Sequence, residues 1–279
     1  GLIQLKDGGR GIFLAPAAGE STAINSGTII VGDGFSFPAN NVPGESAGIF
    51  HSGGLGSITS VNTETGVIVS GDNSGGIRNT SLGGTSYTIN EGSITVGNGE
   101  VNRLASYDGT PFDRIFTSVG MLSNSPGAAA GATAYARNSG DITVGHLATG
   151  VFVSGQGLRL VDPTDWTAIG VNEGVIATGD DATGMFTMGS NATTYNSGSI
   201  TIGDLDLSEI LPDPVFGPEY EVAQMGYGVA SWGEALAQVV NYGNITTGDG
   251  TVGAAARMYY ANYGYGAQLV QNADGVIVT

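Results

Sequence analysis

Short apolar runs alternate with polar positions along this chain and stop at glycine, asparagine or aspartate, and the clearest of them recurs almost verbatim. NSGSITIGD from Asn196 is matched by NSGTIIVGD from Asn25, NEGSITVGN from Asn90 and NSGDITVGH from Asn138. Aligned on the glycine of the phrase, the copies stand at Gly1, Gly27, Gly66, Gly92, Gly140, Gly174, Gly198, Gly243 and Gly275. An isoleucine follows two residues after every one of them, from Ile3 through Ile142 and Ile200 to Ile277. Another glycine comes five residues after the register glycine in seven of the eight complete copies. Alternation bounded by turn formers on both sides reads as a short strand between two turns.

Two further signals share the register. Gly11, Gly76, Gly150, Gly184 and Gly253 each lie ten residues after their register glycine and mostly head an apolar pair such as GIF, GVF or GMF, which predicts a second strand. A third run ends at the next asparagine, as in TSYTIN and AQVVN. Propeller blades need four strands in about 40 residues. The shortest repeats here, Gly174 to Gly198 and Gly1 to Gly27, span only 24 and 26 residues, which three strands and three corners fill. The pattern therefore predicts one all-β domain over 1–279, a parallel β-helix of about eight coils, each rising roughly 4.8 Å. Stacking makes each coil repeat its neighbour's inward residue, while solvent-facing corners are free to grow.

In that arrangement the isoleucines form an internal ladder, each burial contributing roughly 1.5–3 kcal/mol. Asn25, Asn90, Asn138, Asn172, Asn196 and Asn241 form a second ladder at a corner, where asparagine tolerates left-handed backbone and its amide can bond the coils above and below. Asn62 and Asn272 sit four and three residues before their glycine, so a local bulge is expected at each. The corner between first and second strands carries 11, 18 and 18 extra residues in three copies, giving insertions at 33–47, 98–119 and 204–225. Insertions on one side of a solenoid often form its binding face.

Composition narrows what those loops can hold. Twenty-five acidic residues against eight basic ones give a formal charge of -17, which repels phosphate backbones and anionic headgroups and disfavours nucleic acid as a partner. There is no cysteine, hence no disulfide or thiolate metal site. The insertion DLDLSEILPDPVFGPEYEV concentrates Asp204, Asp206, Glu209, Asp213 and Glu219 beside Tyr220. Its D-x-D-x-S start resembles a calcium loop, but the sixth and twelfth positions are Glu209 and Val215 instead of glycine and glutamate. An aspartate ladder including Asp7, Asp33, Asp72, Asp180, Asp204 and Asp249 is expected to cap its own turns. Calcium bridging Asp180, Asp204 and Asp249 would relieve the repulsion between stacked carboxylates. Trp166, Trp232, Tyr259 and Tyr260 are candidates for stacking on sugar faces. Catalytic signals are thin: His51 and His146 belong to no metal or hydrolase motif, and adjacent acids such as Asp180 and Asp181 mean little among so many.

The combination N-[SE]-G-x-I-x-V-x-G followed by G-[IVM]-F, as in NSGDITVGHLATGVF from Asn138, resembles the passenger domains of autotransporters, type V secreted surface proteins of Gram-negative bacteria. The resemblance implies a single-stranded right-handed parallel β-helix (β-solenoid) displayed outside the cell, often as an adhesin, and exported through an outer-membrane barrel lying beyond this chain. The start at Gly1 and the stop at Thr279 midway through a strand are expected of a fragment of a larger protein. The leading expectation is a non-enzymatic extracellular surface domain without a cofactor, presenting its insertions to a host or matrix glycan or protein. One alternative is a polysaccharide-degrading β-helix of lyase or tailspike type, for which Arg159 and Arg257 are the nearby cations. The other is a filament subunit that self-associates through the solenoid ends.

Overall fold

The computed structural model describes residues 1–34, 46–105, 111–116, 118–126, 131–155, 166–206, 225–258, 266–271 and 275–278. Every copy of the phrase becomes a short strand, because its β-branched residues suit an extended backbone and its flanking glycines end it. These first strands are β1 (Leu2–Gln4), β4 (Thr28–Val31), β7 (Val67–Ser70), β10 (Ser93–Val96), β15 (Asp141–Val144), β18 (Val175–Thr178), β20 (Ser199–Ile202), β22 (Asn244–Thr247) and β25 (Val276–Val278). They stack in chain order as one nine-stranded parallel sheet. All nine isoleucines are in register, and the seven from Ile29 to Ile245 are no more than 1% exposed.

The second strands are β2 (Arg10–Leu14), β5 (Ala47–Gly53), β8 (Gly75–Ser81), β13 (Ser118–Asn124), β16 (Ala148–Gly155) and β23 (Val252–Met258). The third strands are β3 (Ser21–Asn25), β6 (Ile58–Asn62), β9 (Ser86–Asn90), β14 (Thr133–Asn138), β17 (Thr167–Asn172) and β24 (Ala267–Gln271). In two repeats the expected pair is a single bent strand, β19 (Thr183–Asn196) and β21 (Tyr227–Asn241). Both arms therefore belong to one large parallel sheet that climbs through the second strands, turns through β19 and returns along the third. The register shifts between Gly189 and Asn191 at this turn. A side chain on Gly233, at the equivalent bend, would sit 1.9 Å from the Leu236 carbonyl, so only glycine allows the corner to close without a loop. The fold is a parallel β-solenoid.

The phrase is dictated residue by residue. A Cβ on Gly198 would lie 2.0 Å from the Gly174 carbonyl of the preceding rung, and one on Gly150 would meet Ile176 at 2.6 Å. The second-strand glycines are thus the flat surface against which the isoleucine ladder presses. The interior holds Ile49, Ile77, Met121, Val151, Met185 and Val229 on the second strands, opposite small residues such as Ala134, Ala168 and Ala192 on the third.

The asparagine ladder is continuous. Asn25 donates from Nδ2 to Asn62 Oδ1 at 2.8 Å, Asn62 to Asn90 at 2.8 Å, and so on through Asn138, Asn172, Asn196 and Asn241. Asn62 keeps its place in the ladder; its two extra residues form a turn closed by Gly66 N–H donating to Thr63 at 2.7 Å. At the last rung Gln271 takes the ladder position, accepting from Asn241 at 2.9 Å, while Asn272 lies outside the described residues.

Candidate functional site

The three corners differ sharply. The corner from third to first strand holds two residues in six repeats and four in two. The corner before the second strands is tight in five repeats, and in each of these the residue seven after the register glycine has positive φ: Gly8, Asn73, Leu147, Asp181 and Gly250. That left-handed residue turns the chain straight into the second strand. Gly34, Gly99 and Leu205, at the same position, do not adopt it, and the insertions leave there. The 98–119 insertion contains an antiparallel hairpin, β11 (Glu100–Ala105) with β12 (Pro111–Phe116). The corner after the second strands varies as well, from no connecting residue in β19 and β21 to eleven between Gly155 and Thr167. Extra chain therefore borders the second-strand arm on both sides, where the sequence pattern pointed to one.

The outward face of that arm carries stacked rings. Phe13 and Phe50 lie 5.9 Å apart, Phe152 and Phe186 5.7 Å, and Phe186 meets Trp232 edge-on at 5.0 Å. Arginines cover them, Arg10 lying 4.7 and 4.2 Å from the Phe13 and Phe50 centroids and Arg257 5.2 Å from that of Trp232. Six of the seven arginines fall on second strands or on the connections entering and leaving them: Arg10, Arg78, Arg103, Arg114, Arg159 and Arg257. Arg137, on a third strand, is the exception and pairs with Glu173 at 2.7 Å. Among the described side chains, Arg10, Arg78 and Arg257 all stand on second strands.

Arg78, in the middle of that face between Phe50 and Leu122 in register, is 8% exposed. Burial pushes its guanidinium down to about 10, and no carboxylate offsets the shift. Its side chain folds back over Gly75, where a Cβ would lie 2.4 Å from Nε. No signal in the sequence marked it, because the repeat pattern says only that its position faces outward.

Among the residues the sequence put forward, Asp204 and Asp206 are exposed at the start of the third insertion, and Glu209, Asp213, Glu219, Tyr220, Tyr259 and Tyr260 lie outside the described residues. Trp166 and Trp232 are each 4% exposed, so neither presents an open ring to a sugar. The Trp166 carbonyl accepts from Asn191 at 2.8 Å, and Trp232 packs into a cluster with Phe186, Met188 and Ala230.

The aspartate ladder ties rungs together instead of capping its own turns. Asp180 Oδ1 accepts the Asp204 N–H at 3.0 Å, Asp204 Oδ1 accepts the Asp249 N–H at 2.8 Å, and Asp7, Asp33, Asp72 and Asn98 do the same. A Cβ on Gly203 would lie 2.2 Å from Asp180 Oδ1, which explains the glycine that closes the phrase. His146 cannot play this part; its Nδ1 lies 3.5 Å from Asp181 Oδ2. Among the described residues no three His, Asp or Glu side chains converge on a metal position, and Asp180 and Asp204 each engage Oδ1 with a backbone N–H of the next rung.

The other histidine is interior. Ser21 Oγ is 2.5 Å from His51 Nε2, His51 Nδ1 is 3.2 Å from Ser60 Oγ, and Ser60 donates to Asn79 at 2.7 Å. His51 is fully enclosed, and desolvation lowers its pKa. Without access or an orienting carboxylate, the Ser21–His51 pair is a tie between rungs. No family model matches the chain, and neither the curated proteins nor the solved structures contain a significant match.

Proposed function

We propose that this protein is a non-enzymatic extracellular surface domain, a right-handed β-helix of about eight coils that works as an adhesin-like passenger. In this reading the outward face of the second strands, from whose two corners the insertions leave, is the binding face, and a host or matrix glycan or protein is its partner. The observation that carries it is the segregation of variability. One corner is held nearly constant by the asparagine ladder, while every long connection enters or leaves the second strands, on which Arg10, Arg78 and Arg257 stand. Long loops on a rigid scaffold are where binding residues concentrate. The test is to replace residues 205–227 with Asp181–Thr183, which restores the tight corner between Asp204 and Gly228. Retained melting temperature with lost adhesion of protein-coated beads to matrix supports the reading; unchanged adhesion after splicing all three insertions refutes it. Peptide-mapping of the native protein checks the passenger assignment, which expects further coils leading to amphipathic membrane strands.

A second reading, end-to-end self-association, has its own support. Ile3 is 37% exposed and Ile277 only partly buried on the outermost rungs, in a ladder whose inner members are enclosed. Such a surface accepts another rung, from the same polypeptide or from a second copy. Sedimentation over a range of concentrations tests it, fibre growth counting for it and a constant monomer against it.

A further inference from the structure

An asparagine followed by glycine carries its own reagent. The glycine's main-chain nitrogen can close a five-membered ring on the side-chain amide carbon, and with no Cβ beside it nothing hinders the approach. The chain has a single such step, Asn98–Gly99. Asn98 is exposed, and it stands in the ladder position that six of eight rungs fill with aspartate. Both reacting ends are held by one residue of the next rung. Asn98 Oδ1 accepts the His146 N–H at 2.9 Å, and the Gly99 N–H donates to the His146 carbonyl at 2.7 Å. These bonds point the amide along the stack and engage the nitrogen that would attack it. The same pair of bonds closes the Asp7–Gly8 and Asp33–Gly34 steps, made there by Asp33 and Asp72. All of them lie at a solvent-exposed corner, where backbone bonds open more readily than in a core.

We propose that Asn98 is a modification site, which deamidates spontaneously through a cyclic imide when the His146 rung lifts away from it. The only co-reactant is water. Gly99 N bonds to Asn98 Cγ as the Cγ–Nδ2 bond breaks, and the proton from Gly99 N leaves with the amide nitrogen as ammonia. Water then opens the ring at one of two bonds. Cleavage between Cγ and Gly99 N gives aspartate. Cleavage between the Asn98 main-chain carbonyl carbon and Gly99 N gives isoaspartate, whose main chain runs through Cβ and Cγ and is one carbon longer. The fold treats these products differently. Aspartate is what the neighbouring rungs carry, and its Oδ1 can accept the His146 N–H as Asp180 Oδ1 accepts that of Asp204 at 3.0 Å. Isoaspartate shifts the chain just before β11, whose first residue, Glu100, accepts from Asn73 Nδ2 at 2.8 Å. Reaction at Asn98 therefore re-sets the root of the hairpin that β11 and β12 form.

The experiment holds the full chain at mildly alkaline pH, folded and in urea, and follows residue 98 by peptide mapping that separates aspartate from isoaspartate. Two variants accompany it, Asn98→Asp and His146→Pro, the second lacking the N–H that pins Asn98 Oδ1. The expected result is reaction at Asn98 in urea and a rate roughly tenfold or more slower in the fold, because a reaction that needs an opened rung is limited by how seldom the rung opens. His146→Pro, once its melt shows it folded, should recover much of the unfolded rate. Should that variant not fold, the comparison of the unaltered chain with and without urea decides alone. Asn98→Asp should melt with the unaltered protein, while the isoaspartyl fraction should be cut faster by protease within 100–116. No product at Asn98 in urea overturns the site. Equal rates with and without urea overturn the gate, as does a folded His146→Pro that reacts no faster. An isoaspartyl fraction as protease-resistant as Asn98→Asp overturns the re-set hairpin.

Discussion

The corner between third and first strands and the corner between first and second strands are built from the same kind of ladder but tolerate opposite fates. At the first, buried amides bond to each other and to the backbone of their own turn, Asn138 donating both to Asn172 Oδ1 at 2.9 Å and to the Gly140 carbonyl at 3.1 Å. Each rung's amide is thereby fixed to its neighbours and to the turn that follows it, so chain added beyond the two residues that the Asn62 corner absorbs would tear several buried hydrogen bonds at once. At the second, the aspartate bonds sit in solvent and are complete before the left-handed residue is reached. Beyond it the described side-chain ties between rungs are few, Asp206 N–H donating to Asp181 Oδ1 at 2.7 Å and Asn73 Nδ2 to Glu100 at 2.8 Å. The lesson is that a solenoid corner can grow at length downstream of its rung-to-rung side-chain bonds, whereas between them it absorbs only a residue or two.

The largest expected effect comes from breaking this rule directly. Five Gly/Ser residues inserted between Ser139 and Gly140 should cost about 4 kcal/mol or more, through orphaned amides of the ladder. The same five inserted after Gly99 should cost under about 1 kcal/mol, because lengthening an open loop is entropically cheap. Urea unfolding of both variants measures the contrast, and equal costs would break it.

Next in size, Asn138→Leu leaves Asn90 Nδ2 and Asn172 Oδ1 without their ladder partners. Each unsatisfied buried group costs about 1–3 kcal/mol, so the midpoint should drop by about 2–4 kcal/mol in total. Asp204→Ala, which removes one exposed carboxylate from the other ladder, should stay within about 1 kcal/mol. Chelator should leave the melting temperature of the unaltered protein unchanged, since Asp180 and Asp204 accept backbone N–H groups and no three of the described carboxylates converge.

A pH experiment sharpens the same contrast from inside. The folded pKa of His51 is lowered from its ordinary 6.5 by burial, so below that value the unfolded chain takes up the proton more readily than the fold does. Stability therefore falls as pH drops through 6.5, by no more than about 1.4 kcal/mol per unit. His51→Gln should flatten this slope, which thermal melts between pH 7 and pH 5 would detect. Arg78 has the opposite consequence at high pH. Its folded pKa of about 10 lies below the ordinary 12.5, so its burial weakens the fold while it is charged. The stability gap to Arg78→Gln should narrow as pH rises above about 10.

Much of this architecture was legible because parallel stacking makes inward residues repeat. Ile142 and Ile200 could be assigned to one ladder, and Asn138 and Asn196 to another, without coordinates, since every neighbour spelled the same letter. Asn62 was harder to assign, because counting back from Gly66 ignored that a turn can absorb two residues while the amide stays in place. The direction of the aspartate bonds was not legible at all; Asp204 reaches along the stack to Asp249, and a local motif gives no hint of a partner 45 residues away. Trp166 and Trp232 were misjudged as open rings for a related reason. Outward on a strand does not mean exposed when neighbouring rungs carry rings and long side chains, as Phe186 and Met188 do beside Trp232. The fusion of second and third strands in β19 and β21 depends on backbone crowding at Gly189 and Gly233, and glycine is too common here to single those two out.

The asparagine ladder also gives the molecule an electrical sense. Its seven side-chain bonds, from Asn25 to Gln271, all donate toward the later rung, so the amide dipoles line up head to tail like molecules in a crystal of a simple amide. Aligned bonds polarise one another, each strengthening the next. A partly formed ladder already presents the donor that the following coil requires, in the one orientation that coil can use. The two directions along the axis are therefore chemically distinct, and the stack is a vector, able to lengthen coherently only by copying its own polarity.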